Sequence, residues 1–329
     1  MEISKTQILS YLEKFKTKRV LIIGDVMIDS YMWGVVNRIS PEAPIPIVSV
    51  VNREYRMGGA ANVAFNINSL GAEPILCAVV GQDEKGKIFR DLLKQNSMSD
   101  EGLLSLPDRK TTIKTRIICG SQHMLRVDDE VDTEIDEKSS EILVEKVEKI
   151  IAKQKIDLII FEDYDKGVLN PKFISKVIKI AKKNSIFTAV DPKKRNFNSY
   201  NGVDLFKPNF KEFCEGTNSE ISKTDLKEIA KSAQKFLESS AISTLLLTLS
   251  EHGVFISDIK NNFHFPAERR LIADVSGAGD TVISVAGLLL SAGASLSEIA
   301  SISNIAGGLV CEKSGVVPIE PEELQNEFR

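Results

Sequence analysis

Histidine and cysteine are scarce in this chain, with three and four copies among 329 residues, and Cys77, Cys119, Cys214 and Cys311 form no CxxC pair. That spacing offers neither a zinc site nor a disulfide framework. Positive charge is not in excess. Lys and Arg number 42 against 46 Asp and Glu, a net of −4, which leaves no overall field to gather a polyanion, so no nucleic-acid partner is expected. Long apolar runs are missing too: the longest weakly polar stretch, 282–294, falls well short of the ~20 residues that span a bilayer, and no membrane partner is expected. The N-terminal residues spread charges through their apolar positions, without the apolar run and cleavage site of a secretion signal. A cytoplasmic location is the expectation.

What is present fits a folded protein, with 43% hydrophobic and 27% charged residues. The length exceeds the ~250–300 residues at which single cores usually stop growing, so one large domain over 1–329 with an appendage is expected. Short β-branched runs at 20–23, 75–80, 157–161, 187–190 and 244–249 alternate with segments of helical period. Strands that alternate with helices predict an α/β fold whose mainly parallel sheet is covered on both faces. Two segments, about 30–55 and 110–128, carry strand-like residues without a helix attached. They are expected to pair as a small β-lid over the mouth of the domain, where an exposed strand layer also makes a natural homodimer surface. The acidic run 128–136 reads as a solvated loop before a helix at 141–154.

The sharpest chemical signal is Asp274-Val-Ser-Gly-Ala-Gly-Asp280, followed at once by an apolar helical run. Small residues let a backbone approach a ligand, and a helix starting near Ala278 aims unpaired N–H groups at an anion held by Gly277, Ala278 and Gly279. Asp280 in the same turn is either a helix cap or a base for a hydroxyl nucleophile. A second cluster, Gly58-Gly59-Ala60-Ala61-Asn62, opens another helix and offers a polyol a bare turn plus the amide of Asn62. Asp29 follows the first strand, at the end of an α/β sheet where ligands bind. Asn209 and Glu212, three apart at a helix start, suit either a reciprocal cap or oxygen ligands for hydrated magnesium.

Together these residues resemble the ribokinase-like (PfkB) carbohydrate kinases over essentially the whole chain. The resemblance implies a three-layer α/β sandwich with a β-lid, and transfer of the γ-phosphate of ATP to a sugar hydroxyl. It implies Asp280 as the catalytic base and the Gly277–Gly279 amides as the anion hole. It further implies Asp29, Gly58, Gly59 and Asn62 as sugar contacts, Asn209 and Glu212 as organisers of Mg2+ and phosphates, and Thr248, Ser250 and Gly253 as the nucleotide loop. Asn304 matches the adenine pocket, and the family leaves room for a monovalent cation. Ser250 stands where the family often has glycine.

Within the family, Gly24–Asp29, Arg38–Pro46, Asp163-Tyr164 with Lys166-Gly167, and Asp191-Pro192-Lys193 resemble the subgroup that phosphorylates the anomeric hydroxyl of D-glycero-β-D-manno-heptose 7-phosphate. That subgroup serves ADP-heptose and lipopolysaccharide core synthesis, and the length of this chain suggests its stand-alone kinase form. A phosphorylated acceptor needs cations, for which Arg38 and Lys193 come first and Lys114, Arg116 and Arg126 next. Glu162 departs from the subgroup, which has a small residue before Asp-Tyr, and is expected to disturb the local pocket. Other sugar, sugar-phosphate or nucleoside kinases of the family, and a silent nucleotide- or sugar-binding module, are the alternatives. A dinucleotide-dependent oxidoreductase is disfavoured because no GxGxxG follows the first strand.

Overall fold

The computed structural model describes residues 3–120 and 122–328. The chain runs through α1 (Lys5–Phe15), β1 (Arg19–Gly24), β2 (Val26–Ile39), β3 (Pro46–Gly59), α2 (Ala60–Ser69), β4 (Glu73–Gly81), α3 (Glu84–Gln95) and β5 (Leu103–Leu106). It continues with β6 (Ile113–Cys119), β7 (Gln122–Asp129), α4 (Glu137–Lys153), β8 (Leu158–Glu162), α5 (Pro171–Lys183), β9 (Phe187–Asp191) and β10 (Leu205–Phe206). Last come α6 (Phe210–Thr217), α7 (Leu226–Ser240), β11 (Thr244–Thr248), β12 (Val254–Ser257), β13 (Asn262–Phe265), α8 (Ala278–Ser291), α9 (Leu296–Cys311) and α10 (Pro321–Asn326).

Nine strands form one sheet in the order β13-β12-β11-β10-β9-β8-β1-β4-β5. Pairing is parallel from β5 to β11, and β12 and β13 add an antiparallel edge. The alternation of strand side chains divides the core in two. Val20 and Ile22 pack with residues of α2, α8 and α9, while Leu21 and Ile23 pack with residues of α4, α5 and α7. Continuous apolar strands such as Val20–Ile23 are therefore required, because both faces are covered. This is an α/β sandwich with a mainly parallel sheet.

Four strands in the order β3-β2-β6-β7 form a second sheet. The chain leaves β1 for β2 through Asp25 alone and returns from β3 directly into α2. Both passages are tied together, since the amide of Ala60 donates to the carbonyl of Asp25 at 2.9 Å. The far arm of β2 and β3 leaves Val35, Ile39, Ile45 and Val51 exposed, Val51 at 74%. No helix among the described residues is long and apolar enough to cross a membrane.

Candidate active site

Helix α8 begins where the glycine pattern predicts, at Ala278, with Gly277 before it at φ 82°. A side chain is strained in that left-handed conformation, and a Cβ on Gly277 would also press on Nδ2 of Asn62 at 2.9 Å. Asp280 therefore sits in the first turn of α8, only 4% exposed. Its side chain does not cap the helix. Asn62 donates to Oδ2 at 2.6 Å and the Tyr164 hydroxyl donates to Oδ1 at 2.8 Å. Burial pushes the carboxyl up to about 6; the two hydrogen bonds oppose that rise, the Asp191 charge adds to it, and Lys207 opposes it. A carboxylate near this value is ionised at neutral pH and still basic enough to take a hydroxyl proton.

The residues around Asp280 come from the carboxyl ends of adjacent strands. Glu162 ends β8, Asp191 ends β9, the two are register partners, and Lys207 follows β10. Lys207, 2% exposed, pairs with Asp191 Oδ2 at 2.7 Å, and Lys193 lies 3.3 Å from its Oδ1. Burial alone would raise Asp191, but the two lysines outweigh it and hold the carboxyl below its ordinary value. Glu162 is fully buried, and burial followed by the charges of Asp191 and Asp280 drives it well above the usual carboxyl range. A Cβ on Gly279 would come within 3.6 Å of Asp191 Oδ2 and 3.7 Å of Lys207 Nζ, so the glycine turn faces these groups.

Tyr164 is positioned by Asp25. The Asp25 carboxylate, 1% exposed, accepts from the amides of Tyr164 at 2.9 Å, Lys166 at 3.0 Å and Val168 at 3.1 Å. Asp163 turns the other way and accepts from Asn196 at 3.0 Å and the Tyr200 hydroxyl at 2.7 Å. The strand-end loop is thereby fixed on both sides.

The remaining expected residues fall into three places. Asp29 and Gly58 meet at the root of the second sheet, where a side chain on Gly58 would run into the Asp29 carboxylate, and Asp29 pairs with Arg116. Arg56 and Arg116 lie 4.9 and 5.3 Å from the ring centre of Tyr31, so cations gather there. Thr248, Ser250, Gly253, Gly279 and Asn304 line a cleft of about 850 Å³. Ser250 adopts φ 55°, the conformation that makes glycine the easier residue at this position. Asn209 bridges to Thr248, and Asn209 and Glu212 form a reciprocal cap on α6, with Glu212 also 2.8 Å from Lys193. Their oxygens are thus already engaged with the protein. Lys114 pairs with Asp128 and Glu130, and Arg126 with Asp128.

Arg38 is separated from this constellation. It lies 38 − 29 = 9 residues along β2 from Asp29, roughly 30 Å of strand at ~3.3 Å per residue, and it is exposed. Lys193, its companion in the expectation, is inside the site, 5.5 Å from the Tyr164 ring centre. Tyr164, Asp191, Lys207 and Glu162 received no role from sequence spacing. Their common signal is that each ends, or closely follows, an apolar strand run.

A family model described as pfkB family carbohydrate kinase matches residues 17–323. The bifunctional protein HldE of Desulfatibacillum aliphaticivorans is 39% identical over 316 residues, covering 96% of this chain and 64% of that protein. The protein of the same name from Syntrophotalea carbinolica is 37% identical over 322 residues, covering 97% and 65%. The chain thus spans somewhat under two thirds of these relatives. Among solved structures, phosphofructokinase-2 from Escherichia coli in complex with fructose-6-phosphate matches with a TM-score of 0.76 at 18% identity, covering 94% of this chain and 98% of that one. Ribokinase from Thermotoga maritima matches at 0.67 and 17%, with the same coverage.

Proposed function

The chain belongs to the pfkB family of carbohydrate kinases and is an ATP-dependent sugar kinase; from that premise we propose that its acceptor is D-glycero-β-D-manno-heptose 7-phosphate, phosphorylated on the anomeric hydroxyl. Support comes from the segments Arg38–Pro46, Asp163–Gly167 and Asp191–Lys193, and from relatives named HldE at 34–39% identity over nearly the whole chain. The observation that carries the chemistry is the Asp280 carboxylate held by Asn62 and Tyr164 at the first turn of α8.

In the proposed step Asp280 removes the proton of the anomeric hydroxyl. The bond from that oxygen to the γ-phosphorus forms as the bond from phosphorus to the β–γ bridging oxygen breaks, and ADP leaves with that electron pair. The amides of Gly277–Gly279 receive the negative oxygens of the moving group, and Lys207 and Lys193 add positive charge beside them. The cleft lined by Thr248, Ser250, Gly253 and Asn304 takes the nucleotide. Asp29, Gly58, Gly59 and Asn62 face the sugar, and Arg56 and Arg116 are placed to meet its phosphate.

Magnesium, which the family implies, would neutralise charge on the phosphates. The two carboxylate oxygens of Glu162 lack any hydrogen-bond partner and would be the donors open to it, whereas both oxygens of Asp191 are already paired with Lys193 and Lys207. Asn209 and Glu212, engaged in their cap, would act through water.

The second sheet serves as a lid that excludes water. Its exposed arm pairs two copies of the chain into a homodimer, and on that arm Arg38 can serve only the site of the second copy. The test is phosphorus NMR of the product made from heptose 7-phosphate and ATP. A second phosphate on the anomeric carbon, formed together with ADP, is expected. No turnover of this acceptor, with ready phosphorylation of another sugar from a panel, overturns the assignment.

A further inference from the structure

Asn66 lies one turn beyond Asn62 on α2, and both side chains are 0% exposed. The Asn66 carboxamide is bonded at both ends. Its Oδ1 accepts from the Thr281 hydroxyl at 3.0 Å and from the main-chain amide of Ile319 at 3.1 Å. Its Nδ2 donates to the Asn62 carbonyl at 2.9 Å and lies 3.5 Å from Asn62 Oδ1. Asn62 in turn donates through Nδ2 to Asp280 Oδ2 at 2.6 Å. A chain of contacts therefore runs from the main chain at Ile319 through two carboxamides to Asp280.

A carboxamide can be turned end for end with almost no change of shape, so its neighbours decide which end faces where. Here the decision starts from a group that cannot reverse. The Ile319 N–H can only donate, which fixes Oδ1 of Asn66 towards it and leaves Nδ2 for Asn62. A donor on that side draws the Asn62 oxygen, and the N–H end of Asn62 is left for Asp280. A reversed Asn62 would set N–H against N–H at Asn66 and oxygen against an ionised carboxylate at Asp280. Neither mismatch could be relieved by solvent, because Asn62 and Asn66 are sealed from it.

We propose that Asn66 is a positioning residue of the phosphoryl transfer: it holds the Asn62 amide in one polarity, so that an N–H and not an oxygen meets Asp280. The segment before α10 takes part through the Ile319 amide, and Ser69 of α2 also holds it, donating to the Ile319 carbonyl at 2.8 Å. The role in the reaction rests on the reading of Asp280 as the base and is independent of which sugar is phosphorylated. Thr281 supplies the contrast. Its hydroxyl adds a second bond to the same Asn66 oxygen, but a hydroxyl can donate or accept and so does not decide the polarity.

The test is proton–nitrogen NMR of the side-chain amides in the ligand-free protein with labelled asparagine, the Asn62 pair being identified by its loss in Asn62→Ala, together with kcat and the KM for ATP. In the natural protein one Asn62 side-chain proton should lie downfield, where a short hydrogen bond to a carboxylate puts it. Asn66→Asp keeps the shape and the acceptor for Ile319 but removes the N–H, so Asn62 should turn its amino end to the new carboxylate. The downfield signal is expected to vanish and kcat to fall about tenfold or more, with the KM for ATP within about twofold. Thr281→Val should keep the signal and hold kcat within about twofold. Asn66→Ala, which removes donor and acceptor together, repeats the comparison if the aspartate variant does not fold. The proposal is overturned by the absence of a downfield Asn62 proton in the natural protein, by its survival in the Asn66 variant, or by equal losses of kcat in the Asn66 and Thr281 variants. A lost signal with unchanged kcat overturns it too. Failure of the base reading shows separately: near-normal turnover by Asp280→Asn would discard the base, while the Asn62 signal, read without substrate, still reports the polarity.

Discussion

Replacing Tyr164 by Phe removes one hydroxyl and leaves the ring, so it isolates what the 2.8 Å hydrogen bond does for Asp280. A hydrogen bond to a charged group contributes about 1.5–3 kcal/mol. At 1.36 kcal/mol for each pH unit, its loss displaces the Asp280 midpoint upward by about one to two pH units. In the natural protein the carboxyl, raised to about 6, is roughly nine-tenths ionised at pH 7. In the variant that fraction falls to between about one half and one tenth, so kcat/KM at pH 7 drops about two- to tenfold. Raising the pH to 9 should restore most of the rate, because the base is then ionised in both proteins. The assay is a pH profile of kcat/KM for both proteins with coupled detection of ADP. An acid limb that stays in place, or a deficit equally large at pH 9, would refute the argument. In either case the Tyr164 hydroxyl would not be acting through the ionisation of Asp280.

Three other expectations follow from the structure. Asp280→Asn should fold and bind ATP but lose about 10²–10⁴ of kcat, the range a positioned base contributes; in the natural protein kcat/KM should fall about tenfold per pH unit below about pH 6 at fixed free magnesium, and a flat profile down to pH 5 would contradict the base assignment. Val51→Glu, which puts a charge on the exposed arm, should shift the proposed homodimer to monomer in sedimentation velocity while its melting temperature stays within a few degrees, and an unchanged sedimentation coefficient would overturn pairing through this arm.

The parallel strands were legible because burial on both faces forces nearly continuous apolar runs. The expected segments 20–23, 75–80, 157–161, 187–190 and 244–249 overlap β1, β4, β8, β9 and β11. β10, with two residues, and the edge strands β12 and β13, with four each, are too short to stand out, and their pairing is supplied by neighbours. The glycine turns were legible through local chemistry, since Gly59 and Gly277 both adopt positive φ at helix starts. What spacing could not reveal is adjacency across the sheet. Glu162, Asp191 and Lys207 are scattered along the chain and become neighbours only through the register of β8, β9 and β10. Glu162 was expected to disturb its pocket; its orphaned oxygens show a group with no protein partner rather than a misplaced contact. For Asn209 and Glu212 the spacing fitted two accounts, and the reciprocal cap is formed, with Glu212 also reaching Lys193.

Asp25 joins the two arms that grip Asp280. Its carbonyl anchors the start of α2, two residues from Asn62, and its carboxylate anchors the loop bearing Tyr164. A mutational screen scored on turnover would therefore rank Asp25 among the residues of the reaction, although it meets neither reactant. Its signature would be one-sided slackening: a substitution frees the jaw bearing Tyr164, while the main-chain carbonyl goes on holding the jaw bearing Asn62.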